Sequence, residues 1–88
     1  MTALERIEKI EQEVANRLEI PRECARAIFY MNEDLQPTVI VQIFLPNGYA
    51  TAESLVSAND EEIVEHLVRR LREDYSEAIS VIQKILGR

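Results

Sequence analysis

The first part of the chain carries apolar residues at the spacing of one helix face. On a helical wheel they fall within an arc of about 120°, and they are Leu4, Ile7, Ile10, Val14 and Leu18. Pro21 ends this pattern, because the residue before a proline is disfavoured in the α region. The pattern therefore predicts a first helix from about Ala3 to Glu19.

Residues 24–31, with the sequence C-A-R-A-I-F-Y-M, have two interpretations. Alternation and the triplet Ile28-Phe29-Tyr30 favour a strand, since these side chains suit a pleated surface. The alternative is a short helix that begins at Pro21, where a proline in the first turn is well tolerated. The polar segment 32–37 predicts a turn between antiparallel neighbours, because parallel strands need a longer crossover.

The clearest strand of the chain is Thr38–Leu45, with the sequence T-V-I-V-Q-I-F-L. Only Thr38 and Gln42 interrupt its apolar character, and strands that are apolar on both sides are usually covered on both faces. Pro46-Asn47-Gly48 then predicts a turn. The segment from Tyr49 to Val56 is expected to form a third, short edge strand.

A second helix is predicted after Asn59, which precedes Glu62 by the three residues of a capping box. The apolar residues from Ile63 to Leu86 fall within an arc of about 160°, without a change of phase at Asp74. We therefore expect one unbroken helix from Asp60 to about Leu86, ending at Gly87. The fold class is α+β, a single domain over residues 1–88 ordered α-β-β-(β)-α, with both helices on one sheet face.

The predicted second helix is long for a domain of this size. Its length is about 40 Å at 1.5 Å per residue, whereas a domain of this length has a diameter of roughly 30 Å. Either the helix bends, or another chain covers its apolar end, and a two-fold homodimer is the commonest solution. The interface predicted for that dimer consists of Val41, Ile43, Ile79, Ile82, Ile85 and Leu86.

Composition and net charge limit the possible partners and location of the protein. The net charge of −6 disfavours binding to nucleic acid or to an anionic membrane. The N-terminus lacks a signal-peptide pattern, and no apolar run approaches the roughly 20 residues that span a bilayer. The single cysteine, Cys24, has no partner for an internal disulfide. We expect a cytoplasmic protein without nucleic-acid or membrane partners.

The residues that carry catalytic or metal chemistry are sparse. His66 is the only histidine, and with Glu62 one turn earlier it supplies two ligands where zinc takes three or four. Cys24 lies between Arg22 and Arg26, which can activate a thiol, although a free cysteine is more often a small core residue. The sequence therefore predicts no catalytic residue, no metal site and no cofactor, and hence not an enzyme.

Two acids interrupt the apolar stripes, Glu11 in the first helix and Asp74 in the second. A buried carboxylate needs a partner or its pKa rises, and Arg70, one turn before Asp74, is the candidate for a polar pair. The other arginines near Arg70 are interleaved with acids, which is typical of a solvent-exposed face with ion pairs rather than of a nucleic-acid interface.

Three functions are compatible with this pattern. The first is a small non-enzymatic interaction or regulatory protein that acts as a homodimer, because apolar surface is in surplus and catalytic residues are missing. The second is an acidic, antitoxin-like or regulatory subunit that binds a basic partner protein, whose association the acidic surface would speed. The third is a small-ligand or enzymatic domain with a pocket between sheet and long helix, using Glu11, Asp74 or Cys24.

Overall fold

The computed structural model describes residues 2–45, 48–56 and 59–86. The elements follow one another as α1 Ala3–Leu18, a short 3-10 turn Arg22–Cys24, β1 Ala25–Met31, β2 Pro37–Leu45, β3 Gly48–Leu55 and α2 Asp60–Leu86. This confirms the predicted α+β order, including the third strand and the strand at residues 25–31. The turn was predicted at residues 46–48, of which Gly48 is the first residue of β3. Residues 46–47 and the predicted helix end at Gly87 lie outside the described residues.

The ends of α1 are fixed by local hydrogen bonds. The Thr2 hydroxyl accepts a hydrogen bond from the Glu5 amide while the Glu5 carboxylate accepts one from the Thr2 amide, which forms a capping box. At the other end Glu19 adopts the left-handed conformation, with φ of 56°. The Ile20 amide then donates to the Ala15 carbonyl at 3.1 Å, so the chain leaves the helix with Ile20 buried.

The three strands form an antiparallel meander in the order β1-β2-β3. In the register across the sheet, Ala27 pairs with Val41, and Val41 pairs with Ala52. Residues at alternate positions therefore share a face, and this face lies under the helices. The alanines of β1 and β3 flank the larger Val41 and leave room for the helices to approach closely.

Both helices pack on the same face of the sheet, α1 mainly on β1 and α2 mainly on β3. One core cluster lies between the layers and joins side chains from both helices and all three strands. Ion pairs lie between the two helices: the Arg6 guanidinium is 2.6 Å from Asp60, and that of Arg17 is 2.6 Å from Glu61. The opposite face of the sheet has no described helix on it.

Helix α2 is not straight, and the prediction of an unbroken helix is wrong. Its bounds are as expected, but Tyr75 has φ of −135° and ψ of 32°, which is outside the helical region. The segment after this kink packs on the rest of the molecule, because Ile79 and Ile82 are buried and Gln83 Nε2 donates to the Leu18 carbonyl at 2.6 Å. The bend thus removes most of the expected overhang.

Candidate interaction surfaces

The structure places most of the predicted interface residues in the core. Val41 and Ile43 have no exposed surface, because they lie on the face of β2 that the helices cover. Ile79 and Ile82 are buried after the kink in α2. Of the helix residues chosen, Ile85 is 73% exposed and Leu86 55% exposed. The choice of strand face was therefore wrong, and only the last turn of α2 remains available as predicted.

The larger exposed apolar surface is the sheet face that points away from the helices, here called the open sheet face. It is formed by the alternate residues Arg26, Ile28, Tyr30, Thr38, Ile40, Gln42, Phe44, Tyr49, Thr51, Glu53 and Leu55. Its large apolar side chains Ile28, Tyr30, Phe44, Tyr49 and Leu55 are between 36% and 55% exposed. At about 150–250 Å² per large side chain, they expose on the order of 400 Å², an area typical of the largest, often functional patch on a monomer.

Two aromatic rings form one end of the open sheet face. Phe44 and Tyr49 are paired across β2 and β3, and their ring centroids lie 5.5 Å apart with planes tilted by 57°. This geometry is within the favoured range for aromatic pairs. The pair therefore offers a preorganised apolar contact at the edge of the face.

A polar bridge crosses the open sheet face towards the end opposite the Phe44–Tyr49 pair. The Tyr30 hydroxyl on β1 donates a hydrogen bond of 2.7 Å to Glu53 on β3, with β2 between them. This hydrogen bond, with a smaller contribution from desolvation, raises the pKa of the Tyr30 phenol above its ordinary value. Arg26 lies on the same face and, among the described residues, forms no ion pair.

The two interrupting acids are in different surroundings. Arg70 lies 3.4 Å from Asp74 on one helix face, and both side chains are about half exposed, so this is a surface ion pair. Glu11 is mostly buried and contacts Arg22 at 3.2 Å, and it also accepts a hydrogen bond of 2.9 Å from the Ala27 amide. The spacing along α2 indicated Arg70 as the partner of Asp74, whereas the partners of Glu11 are distant in sequence.

Cavities on the described surface are lined mainly by polar side chains. A cavity of about 620 Å³ lies between α1 and the start of α2, and another of about 450 Å³ lies between the helices near Arg17. Cys24 is a partly exposed free thiol, and His66 Nδ1 lies 3.3 Å from the Arg69 guanidinium. Across residues 2–45, 48–56 and 59–86, the structure groups no three potential metal ligands.

No similarity to a known protein was found. The chain matches no family model, no curated protein and no solved structure. Within the described part of the chain, neither helix combines the length and apolar character needed to cross a bilayer. Function is therefore inferred from the exposed surfaces of the described residues, among which the open sheet face carries five large, exposed apolar side chains.

Proposed function

We propose that this chain is a small, non-enzymatic, cytoplasmic interaction module that acts as a homodimer through its open sheet face. The observation that carries the proposal is the asymmetry of the sheet. The helices bury the centre of one face, where Val39, Val41 and Ile43 have no exposed surface, whereas the other face exposes Phe44, Tyr49 and Leu55 to solvent. A contiguous apolar patch on a soluble domain marks a contact site, because leaving it in water is unfavourable.

The size of the open sheet face fits a two-fold interface. A standard interface buries about 800 Å² on each partner, with an apolar centre and a polar rim. The exposed apolar side chains supply roughly half of that area, and polar residues of the same face, such as Gln42 and Thr51, supply rim surface. Aromatic side chains also carry a large share of the binding energy in such interfaces.

The charges on the open sheet face are compatible with its pairing with itself. In a two-fold interface the same patch serves both copies, so it must be self-complementary. When the two-fold axis runs along the strands, β1 of one copy lies over β3 of the other. Arg26 of one copy then comes close to Glu53 of the other. This pairing supplies an acidic partner to an arginine that has none in the described monomer.

Light scattering coupled to size-exclusion chromatography tests the proposal over a range of micromolar concentrations. We expect the mass of a dimer for the unaltered chain and of a monomer for Phe44→Lys, because a lysine would bury its charge in the interface. Leu35→Lys is the matched control, since Leu35 is 77% exposed but lies in the turn between β1 and β2. A monomeric unaltered chain at every concentration contradicts the proposal.

A further inference from the structure

The outer edge of β3 has backbone groups that the sheet does not use. The Pro37 carbonyl accepts a hydrogen bond from the Val56 amide, so the odd-numbered residues of β2 direct their backbone groups towards β3. With Val41 opposite Ala52, the amides and carbonyls of Thr51 and Glu53 must then point away from β2. In the described part of the chain these groups have no strand partner.

The other edge of the sheet is protected at the start of β1. On β1 the outward amide of Ala27 donates to the Glu11 carboxylate at 2.9 Å, and Arg22 holds that carboxylate from its other side. A charged side chain that occupies edge amides is a common device against strand addition. The two edges therefore differ, and β3 is the one left open to a further strand.

A groove runs along the outer edge of β3, between that strand and the flank of α2; we call it the β3 groove. Two adjoining cavities of about 370 and 350 Å³ form it, and both are lined by His66. The strand contributes residues 51–55, and the helix contributes Glu62, His66, Arg70 and Asp74. Asp74 pairs with Arg70, and Glu53 accepts a hydrogen bond from the neutral Tyr30 phenol, so the charges of Glu53 and Glu62 are not neutralised. The β3 groove is therefore net negative and favours a positively charged occupant.

A second copy of this chain does not fit in the β3 groove. Paired strands lie about 4.8 Å apart, and α2 packs over β3 in each copy. Two copies joined edge to edge as antiparallel strands would place both α2 helices on the same side of the joined sheet. The β3 strands that these helices cover would be only about 4.8 Å apart, whereas packed helices need 8–10 Å. An extended segment without a helix above it has no such clash.

We propose that the outer edge of β3 binds an extended, basic segment of another protein as a fourth strand of the sheet. Backbone hydrogen bonds to Thr51 and Glu53 would hold the segment, and the acids of the β3 groove would select lysine or arginine side chains. This site uses the outward backbone groups of β3 rather than the side chains of the open sheet face, and it goes beyond homodimerisation. Strand addition leaves that face free for a second copy.

The probe is an eight-residue peptide, the length of β3, with alternating valine and lysine and blocked ends. Binding to the full chain is followed by amide chemical shifts in NMR. We expect saturable shifts at Thr51 and Glu53, and binding that weakens about tenfold or more when alternate peptide amides are N-methylated on the pairing side. A peptide with glutamate in place of lysine should also bind more weakly than the lysine peptide.

Matched variants separate this site from the open sheet face. Thr51→Pro removes one outward amide that no strand uses and should weaken the lysine peptide, whereas Thr51→Val keeps the amide and should bind normally. Phe44→Lys should bind the peptide as the unaltered chain does. The proposal is overturned by no binding at millimolar peptide, by equal binding of the N-methylated or the glutamate peptide, or by shifts confined to Arg26, Ile28 and Phe44, which lie on β1 and β2 away from the outer edge of β3.

Discussion

The Tyr30 hydroxyl and the Glu53 carboxylate join the two outer strands across β2 through a hydrogen bond of 2.7 Å. The two residues are on opposite strands of the same sheet face, and Thr38, which pairs with Tyr30, is only 3% exposed although it lies on that face. The bridge is therefore a polar element within an otherwise largely apolar surface. It fixes Glu53, the carboxylate that we place opposite Arg26 of a second copy.

The bridge gives a first prediction about pH. Because the neutral phenol donates to Glu53, the pKa of Tyr30 is raised, and Glu53→Gln should lower it towards the ordinary value for tyrosine. In an absorbance titration of phenolate, one of the three tyrosines should ionise at a higher pH in the unaltered chain than in Glu53→Gln. Tyr30→Phe, which lacks the phenol, identifies that tyrosine.

The same shift sets the direction of the pH dependence of stability. A group whose pKa is raised in the folded state holds its proton more tightly there, so its contribution is complete below the unfolded pKa and is lost as pH rises through the folded pKa. The unaltered chain should thus lose stability in alkali more steeply than Tyr30→Phe. The free energy of unfolding of both proteins is measured by urea denaturation at several pH values above the ordinary tyrosine pKa. If it falls equally steeply with pH in both, the bridge is absent in solution.

A second prediction separates the two apolar residues at the end of α2. Ile82 is 9% exposed and belongs to the core, so Ile82→Asp should lower the free energy of unfolding by about 3 kcal/mol or more. Ile85 is 73% exposed, and Ile85→Asp should change it by less than about 0.5 kcal/mol. Urea denaturation of both variants measures the difference.

The mass of Ile85→Asp carries further information. With the open sheet face as the interface, this variant should remain a dimer at the concentrations at which the unaltered chain is one. A monomeric Ile85→Asp that keeps its stability would move the interface to the end of α2, as the sequence first suggested. Phe44→Lys, measured alongside, shows which of the two surfaces pairs.

Much of the fold followed from the sequence because short-range signals agree with it. Strand β2 starts one residue before its predicted start at Thr38. Helix α1 ends at Leu18, one residue before its predicted end at Glu19. The Asn59 side chain accepts from the amides of Glu61 and Glu62 at the start of α2, as its capping position implied. These features need only neighbours in sequence.

The features that could not be predicted from the sequence depend on contacts between residues that are distant along the chain. Nothing local marks Tyr75 as a kink, because the apolar phase continues through it and neither proline nor glycine is near. The two faces of β2 are also both apolar, so composition alone did not show that Val41 points to the helices and Phe44 to solvent. The alternating alanines of β1 and β3, which are small enough to lie under the helices, are the sequence signal that distinguishes the two faces of the sheet.

A third prediction concerns the contact that holds the segment after the kink. Gln83 Nε2 donates to the Leu18 carbonyl at 2.6 Å in a partly buried position, so Gln83→Ala should cost about 1 kcal/mol of stability. Gln12→Ala is the matched control, because among the described residues the Gln12 amide bonds only to Asn16, in an exposed position on α1. Chemical denaturation should show the first loss and almost none in the control. Equal effects would mean that the end of α2 is not held by this bond.

A fourth prediction makes the same substitution at two places with opposite results. Glu19 has φ of 56°, a conformation that glycine adopts without strain, so Glu19→Gly should stabilise the protein by about 0.5–1 kcal/mol. Glu8 lies on the exposed side of α1 in the helix interior, where Glu8→Gly should destabilise by about 1 kcal/mol. Thermal and urea denaturation measure both signs. A loss of stability in Glu19→Gly would show that α1 does not end in the left-handed turn, and that Ile20 enters the core by another path.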